Sequence, residues 1–310
     1  MWTPKRRAIA ALEGRQPDRV PTFELEFQLT EELLGRAFYR PTQATSDREF
    51  RKMCRHNAQL YVDVARELEY DIIMVATAGE NEAALKETAK GIRELVGDEY
   101  LLLCHGDGTY SIPNGQNMME FSCWLIEQPT EVHAQAQRMV KAAIERNKRM
   151  MEAGYDGFAL CADYCFNDGP FMSPKMFREY VTPYLSQLIA TIRAMGGYAI
   201  KHTDGNIMPI IDQLVDCHPH ALHSLDPMAG IDLKVVKEMY GDRVCLIGNV
   251  NCALLQTGTP EEIRASALYA LTHGKPGGGY IFSTSNVAFK GMPLENYLMV
   301  WNLWKEHRDY

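Results

Sequence analysis

Residues 199–211 read AIKHTDGNIMPII, a short apolar run that ends in a polar turn and leads into a helical pattern. The apolar run indicates a β-strand, and the residues after the turn indicate the start of a helix. The turn itself needs only Gly205 and Asn206, because these residue types accept the backbone angles of tight turns. His202 and Asp204 therefore require an explanation other than local backbone structure.

The same unit of an apolar strand followed by a helix recurs along most of the chain. Strands that are apolar on both faces and alternate with helices indicate a parallel sheet covered by helices. About eight such units fit a closed (β/α)8 TIM barrel. We therefore predict one α/β barrel domain over residues 1–310, with an N-terminal helical extension. The predicted strands are Val20–Glu26, Asp71–Val75, Tyr100–Cys104, Gly157–Cys161, Tyr198–His202, Ala221–Leu225, Val244–Gly248 and Tyr280–Ser283.

An open, doubly wound sheet is the alternative architecture. Such a sheet is expected to carry a glycine-rich phosphate loop after its first strand, and residues 21–29, PTFELEFQL, contain no glycine. Among the helices, Ser173–Met195 is predicted as one helix with a kink at Pro183. Further helices are predicted at Thr130–Ala153, Asn206–Val215, Asp232–Tyr240, Pro260–Thr272 and Leu294–Glu306.

Charge and composition disfavour several classes of partner. Lys+Arg 32 against Asp+Glu 40 gives a net charge of −8, which opposes electrostatic binding to nucleic acid or anionic lipid. No apolar run approaches the roughly 18–20 residues that cross a bilayer, so we expect neither a nucleic-acid nor a membrane partner. The eight cysteines form no Cys-x-x-Cys pair and several lie in apolar runs. This usage is typical of reduced core residues in a cytoplasmic protein.

The barrel prediction places functional groups at the carboxyl ends of the strands. His202 and Asp204 are two residues apart at such an end, so their side chains leave the same face. They can serve as a metal-binding pair, an acid/base pair or substrate ligands. The alternative is a buried core histidine beside an aspartate that caps the next helix.

Acids and amides also follow nearly all of the remaining predicted strands. The mouth of the barrel is therefore expected to be polar, acidic and poor in arginine. The cations available there are Lys201, Lys290 and Arg40, too few for a phosphate or polycarboxylate pocket. Such a mouth suits a metal ion, a cationic centre or a neutral hydroxylated substrate. The candidate residues are Glu24, Glu26, Glu80, Asp163, Tyr164, Asp226, Asn249 and Asn286.

Three features look like functional motifs but are expected to be structural. The run Pro276–Gly279 resembles a phosphate loop but precedes a strand, so it belongs to the opposite face of the barrel. His218 and His220 fall on that face for the same reason, whereas His223 lies in a strand and can reach the mouth. Cysteines near the end of the fourth predicted strand are read as buried structural residues.

Several longer stretches resemble the uroporphyrinogen decarboxylase superfamily. They are HTDGNI (202–207), SLDPMAGIDL (224–233), YGDRVCLIGNV (240–250), GTPEEIR (258–264) and PGGGYIFSTSN (276–286), with RRAIAALEGRQPDRVPTFE (6–24) and DGPFMSPKMFREYVTPYL (168–185). The resemblance covers essentially the whole chain. It implies a (β/α)8 barrel with its cleft at the carboxyl face.

The superfamily contains decarboxylases that act on uroporphyrinogen and methyltransferases that work with a corrinoid protein. The decarboxylase pattern fits poorly. Where that branch has an arginine-bearing segment, this chain has FELEFQLTEEL (23–33), and VATAGENE (75–82) replaces the segment with the essential aspartate. Asn286 stands in place of a histidine. A polycarboxylate substrate would also be repelled by Glu24, Glu26 and Glu80.

The methyltransferase branch fits better, with one departure. Its thiol-activating members bind zinc through His-x-Cys and a later cysteine, whereas this chain has His202-Thr203-Asp204 and Asn286. Oxygen donors in place of thiolates suit a metal that polarises an ether or hydroxyl oxygen. The resemblance thus implies methyl transfer from a small methylated donor, such as a methoxylated aromatic, to Co(I) of a corrinoid (cobalamin) partner protein.

The resemblance also implies roles for individual residues. If zinc is bound, His202 and Asp204 are the expected ligands, with Glu80 or Asp163 completing the set. Without a metal, Asp163, Tyr164 or His202 must donate the proton that an aryloxide leaving group needs. Substrate contacts are expected from Glu24, Glu26, Asp226, Asn249, Asn286 and Lys201. A uroporphyrinogen decarboxylase-type lyase and a non-catalytic binding protein remain alternatives, and a homodimer is one option for the assembly.

Overall fold

A parallel sheet forms the centre of the protein. In this computed structural model, which describes residues 1–76 and 81–310, seven strands pair in the order β1-β2-β3-β6-β7-β8-β9. The remaining two form a short antiparallel hairpin. The predicted parallel α/β architecture is confirmed. The strands are β1 Ile72–Val75, β2 Leu101–His105, β3 Gly157–Leu160, β4 Cys165–Phe166, β5 Gly169–Pro170, β6 Tyr198–His202, β7 Ala221–His223, β8 Cys245–Val250 and β9 Tyr280–Thr284.

The first predicted strand, Val20–Glu26, is an extended segment with single bridges rather than a regular strand. The amide of Phe23 donates to the carbonyl of Phe282 in β9 at 3.1 Å, and the amide of Asp71, next to β1, donates to the carbonyl of Thr22 at 3.0 Å. The segment therefore contacts both edges of the curled sheet. A regular eighth strand does not form in the described residues.

Helices cover the outer face of the sheet. The interruption predicted for the helix over Ser173–Met195 is present, but it is a break into two helices that meet at Val181 rather than a kink at Pro183. Pro183 lies at the start of the second helix, where its missing amide hydrogen costs nothing. The helices are α1 Pro4–Leu12, α2 Thr30–Leu34, α3 Asp47–Glu67, α4 Glu82–Val96, α5 Met118–Glu127, α6 Pro129–Glu152, α7 Pro174–Tyr180, α8 Thr182–Ala194, α9 Ile211–Asp216, α10 Leu233–Tyr240, α11 Cys252–Thr257, α12 Pro260–Gly274 and α13 Leu294–His307.

Local sequence explains several helix starts. Thr259 accepts a hydrogen bond from the amide of Glu262, whose side chain in turn accepts from the amide of Thr259, so α12 begins with a capping box. Thr3 caps α1 ahead of Pro4 by accepting a hydrogen bond from the amide of Arg6. None of the helices in the described ranges combines the length and apolar character needed to cross a membrane.

Alternation along the strands decides which residues face the inside of the curled sheet. One buried cluster contains every second residue of the strands, including Ile72, Leu103, Ile200 and Ile247. The intervening residues pack outward against the helices. Extending the inner rows to the carboxyl ends of the strands reaches seven side chains: Ala76, His105, Cys161, His202, His223, Asn249 and Ser283.

Candidate functional site

Three predicted site residues meet at the carboxyl ends of the strands. Ligand atoms of Asp163, His202 and Asp204 lie within 4.8 Å of one another. His202 Nε2 is 3.6 Å from Asp204 Oδ1. Asn286 Nδ2 donates to Asp204 Oδ2 at 2.6 Å, so the predicted residue after β9 also reaches this group. We call these four residues the mouth cluster.

Backbone contacts hold the two aspartates in position. The amide of Asp204 donates to Asp163 Oδ1 at 3.2 Å. The carbonyl of Asp163 accepts from the amide of Ile112 at 2.8 Å, which ties the turn after β3 to the segment after β2. The two carboxylates are therefore fixed by neighbouring loops.

Gly205 allows the turn after Asp204 to pass under the hairpin. Its φ is +81°, and an added Cβ would lie 2.5 Å from the carbonyl oxygen of Cys165. Both the backbone angle and the close approach exclude a side chain here.

We expect Gly205→Ala to lower the free energy of unfolding by at least about 2 kcal/mol, since it adds a clash to the cost of a left-handed alanine. Gly35→Ala is the matched control, because Gly35 has φ +66° and nothing within 4 Å of an added Cβ. The control should lose only about 1 kcal/mol. Urea denaturation measures both, and equal losses would contradict the steric account.

The mouth cluster has unusual electrostatics. Burial, together with the carboxylates of Asp163 and Asp226, raises the pKa of Asp204 to about 6. Burial lowers the pKa of His202 well below its ordinary value, with a further contribution from His223. His202 is thus a neutral imidazole. At neutral pH the cluster carries negative charge and offers one nitrogen and several oxygen donors.

His202 contacts a second buried histidine. The Nδ1 atoms of His202 and His223 are 2.8 Å apart, and His223 Nε2 lies 3.2 Å from the carbonyl oxygen of Thr284. The sequence placed His223 in a strand but predicted no contact with His202. The two positions are paired residues of the adjacent strands β6 and β7, and both lie on the inner row. His218 and His220 lie between α9 and β7, at the opposite ends of the strands, as predicted.

Lys201 and Tyr164 do not join the mouth cluster. Lys201 Nζ donates to Asp107 Oδ2 at 2.9 Å and to the carbonyls of Leu160 and Ala162. It also lies 4.2 Å above the ring of Tyr164. The reason is strand alternation, because His202 points inward and its neighbour Lys201 must point outward.

The surroundings of Tyr164 are equally buried. Its hydroxyl is 2.6 Å from Thr109 Oγ1, and its ring packs on Phe177. Burial raises the pKa of Tyr164 well above its ordinary value. These placements do not support the catalytic role predicted for Tyr164 or the substrate contact predicted for Lys201.

Glu24 lies in a separate network between the sheet and α13. Thr284 Oγ1 donates to Glu24 Oε1 at 2.7 Å, and the Tyr297 hydroxyl donates to Oε2 at 2.9 Å. Its neighbours Phe23 and Leu25 occupy the inner cluster, so Glu24 points outward. Glu26 lines a surface recess with Arg40 and Lys290. The predicted substrate contacts of both glutamates are therefore not supported by their positions.

The Glu24 network predicts a pH-dependent stability. Burial raises the pKa of Glu24 to about 8. Between about pH 5 and 8 the folded protein keeps a proton that the unfolded chain loses, so the free energy of unfolding should fall by up to about 1.4 kcal/mol per pH unit. Glu24→Gln should remove this slope. Chemical denaturation of the wild type and of Glu24→Gln at several pH values tests this prediction. Identical slopes for the two proteins would show that Glu24 is already ionised in the fold.

The other predicted residues lie near the mouth cluster or outside the described residues. Asp226 Oδ1 accepts from the amide of Met228 at 2.9 Å, and its charge contributes to the raised pKa of Asp204. Asn249 is on the inner row of β8 and donates to the carbonyl of Leu225 at 2.8 Å. Their substrate-binding roles stay predictions. Glu80, a predicted metal ligand, lies outside the described ranges.

A recess that sequence reasoning missed lies along the carboxyl ends of β2 and β3. Its volume is about 780 Å³, within the usual range for small-molecule sites. The missed signal is the inner-row histidine that ends β2. Among the described residues the lining includes His105, Asp107, Met139, Ala142, Arg146 and Cys161.

Known proteins resemble this chain in sequence and in fold. The methylcobamide:CoM methyltransferase MtaA of Methanosarcina barkeri is 28% identical over 194 residues, 62% of this chain. A uroporphyrinogen decarboxylase of Chlorobium luteolum is 26% identical over 172 residues, 53% of this chain. The chain spans about half the length of these relatives, 55% of the first and 45% of the second.

The solved structure of a methyltransferase from Methanosarcina mazei superposes on this chain with a TM-score of 0.79 at 20% identity, and the match covers 99% of both chains. This likeness shows a shared fold. The sequence pattern of the uroporphyrinogen decarboxylase (URO-D) family matches residues 109–307, well over half of the 310 residues. The chain therefore belongs to the uroporphyrinogen decarboxylase family.

Proposed function

We propose that the protein is a corrinoid-dependent methyltransferase of this family. It takes a methyl group from a small donor, most simply a methoxylated aromatic compound, and delivers it to Co(I) of a corrinoid carried by a partner protein. The observation that carries the proposal is the mouth cluster, in which one imidazole and two carboxylates converge within 4.8 Å. The relative named as a methylcobamide:CoM methyltransferase supports methyl transfer that involves a corrinoid, although by its name the corrinoid is there the methyl donor rather than the acceptor.

The donor set fits a zinc ion. Asp204 Oδ1 is buried and has no hydrogen-bond partner among the described residues. The hydroxyl of nearby Ser224 does not fill this role, because it donates to the carbonyl of Ser285 at 2.5 Å. Ligands of a tetrahedral zinc ion, at about 2.0–2.1 Å from the metal, lie roughly 3.3 Å apart. The 3.6 Å between His202 Nε2 and Asp204 Oδ1 is close to that spacing. His202, Asp204 and Asp163 are therefore the proposed ligands.

Transfer of a methyl group from an aryl ether leaves an aryloxide, whose developing charge must be neutralised. A bound zinc ion would supply that neutralisation as a Lewis acid at the ether oxygen. The residues of the chain orient the ligands. Asn286 holds one oxygen of Asp204, and the amide of Asp204 holds one oxygen of Asp163. Met139 and Ala142 give the neighbouring recess an apolar wall suited to an aromatic ring.

A uroporphyrinogen decarboxylase-type lyase is the second candidate, and the relative from Chlorobium luteolum favours it. A polycarboxylate substrate needs cations at the mouth. Lys201 is occupied by Asp107 and is fully buried, and Lys290 lies 3.3 Å from Glu31. Arg146, which lines the recess, donates to the carbonyl of His105 at 2.6 Å. The charge distribution around the mouth cluster therefore supports methyl transfer over decarboxylation.

The proposal is tested by incubating the zinc-loaded protein with cob(I)alamin and, in parallel, with corrinoid proteins in the Co(I) state. The donors are a panel of methoxylated aromatics and methylamines, with uroporphyrinogen as the competing substrate. Methylcobalamin formation, followed by absorbance, is the expected result. Turnover of uroporphyrinogen with no methylation from any donor would replace the proposal by the lyase.

Several finer features remain predictions that accompany this proposal. We propose that the segment Val20–Glu26 completes a closed (β/α)8 barrel, because it hydrogen-bonds to both edges of the sheet. The single domain over residues 1–310, the homodimer and the cytoplasmic location are expectations from the sequence.

A further inference from the structure

Two buried histidines face each other through the same ring atom. The Nδ1 atoms of His202 and His223 are 2.8 Å apart, a hydrogen-bond distance, so one nitrogen carries the proton and the other accepts it. Two protonated nitrogens at this distance would repel each other. The direction of this hydrogen bond decides which nitrogen of His202 faces Asp204 with a lone pair.

The carbonyl of Thr284 fixes the direction. It lies 3.2 Å from His223 Nε2, and a carbonyl oxygen can only accept, so His223 Nε2 carries the proton. Ser283 Oγ, 3.5 Å from the same nitrogen, is compatible because a hydroxyl can also accept. In a neutral imidazole, His223 Nδ1 is then the acceptor, and His202 Nδ1 must donate to it. Both rings are buried, at 4% and 1% exposure, and such surroundings favour uncharged imidazoles.

We infer that His223 is a positioning residue that holds His202 in the tautomer whose lone pair is on Nε2, the atom facing Asp204. This inference rests on the proposed metal site and deepens it. His202 Nε2 and Asp204 Oδ1 are then two acceptors 3.6 Å apart, an arrangement that attracts a cation. In the opposite tautomer Nε2 would donate to Oδ1, and this internal hydrogen bond would compete with the metal.

The packing of His223 makes it rigid enough for this role. The ring is 1% exposed, and the ring of Phe23 contacts its edge at a centroid distance of 5.7 Å. Partners of metal-bound histidines commonly change metal affinity 10–100-fold when they are removed. The same range is expected here.

Zinc affinity, measured by isothermal titration calorimetry on the full chain, tests the inference. His223→Leu should bind zinc about 10–100-fold more weakly than the wild type. His223→Gln should stay within about threefold, because the side-chain amide can accept from His202 and donate to Thr284. His218→Asn is the matched control, since His218 is exposed on the far face and asparagine tolerates its φ of +57°. Wild-type affinity in His223→Leu would overturn the inference.

Nitrogen-15 NMR of the wild-type protein without zinc gives an independent test. We expect His202 Nδ1 to show a protonated shift and Nε2 an unprotonated shift; the reverse assignment would overturn the inference. This NMR result determines the tautomer of His202 even if His223→Leu fails to fold or the wild type binds no zinc. Failure of methyl transfer with every donor would count against the proposed function alone, because neither affinity nor tautomer depends on turnover.

Discussion

Asp204→Asn is expected to lower kcat/KM for methyl transfer by about 10²–10³-fold and to weaken zinc binding in parallel. The substitution keeps the size of the side chain and leaves an oxygen for the hydrogen bond from Asn286. It removes the negative charge that faces His202 Nε2 at 3.6 Å. Loss of one preorganised electrostatic contact at a reacting centre typically costs 10²–10³-fold in rate.

Asp216→Asn is the matched control for this prediction. Asp216 is exposed at the amino-terminal ends of the sheet strands and pairs with Arg243 at 2.7 Å, outside the mouth cluster. Its variant should keep wild-type kcat/KM and zinc affinity. Full activity in Asp204→Asn would show that the Asp204 carboxylate takes no part in the reaction, and the proposed site would have to be abandoned.

Asp107→Ala is expected to lower the free energy of unfolding by about 3–5 kcal/mol. The change leaves the fully buried ammonium of Lys201 without its carboxylate. The remaining contacts of Lys201, the carbonyls of Leu160 and Ala162, are neutral acceptors that compensate only part of the charge. Urea denaturation at pH 7 measures the loss.

Two further variants separate charge burial from general damage. The double variant Asp107→Leu with Lys201→Met removes both charges and should be substantially more stable than Asp107→Ala. Arg243→Ala breaks the exposed pair with Asp216 and should cost less than about 1 kcal/mol. If the double variant is as unstable as Asp107→Ala, the loss comes from packing or from the hydrogen bonds that Asp107 accepts from Gly108, Thr109 and Ala162, rather than from an unpaired charge.

The same pair predicts a response to acid. Burial works to raise the pKa of Asp107, but the Lys201 charge and hydrogen bonds from Thr109 and the Ala162 amide outweigh it and lower the pKa to about 2. Stability from this carboxylate is therefore complete above the unfolded pKa of about 4 and is lost as the pH falls towards 2. In Asp107→Leu with Lys201→Met this part of the acid sensitivity should disappear.

Strand positions were predictable because apolar runs have a clear length and clear ends. Tyr198–His202 was predicted with the bounds it has in the structure, and the other sheet strands differ by one or two residues. The segment Val20–Glu26 was not predictable as irregular, since its sequence alternates like a strand. Pro183 was ambiguous too, because a proline inside a helical pattern either kinks the helix or starts a new one.

The mouth cluster was predictable in part. The rule that strand ends converge predicts that His202, Asp204, Asp163 and Asn286 lie together. Alternation along β6 and along the first predicted strand itself places Lys201 and Glu24 outward, contrary to the substrate contacts predicted for them. The contact between His202 and His223 could not be predicted, because it depends on the register of two strands and on the rotamers of both rings.

X-ray absorption on the zinc-loaded wild-type protein tests the central claim most directly. We expect one zinc ion per chain, with nitrogen and oxygen neighbours near 2.0–2.1 Å, an imidazole signature and no sulfur. Asp204→Asn measured beside it should lose zinc. A sulfur neighbour near 2.3 Å, or zinc retained unchanged in the variant, would show that the metal is held elsewhere and would contradict the account.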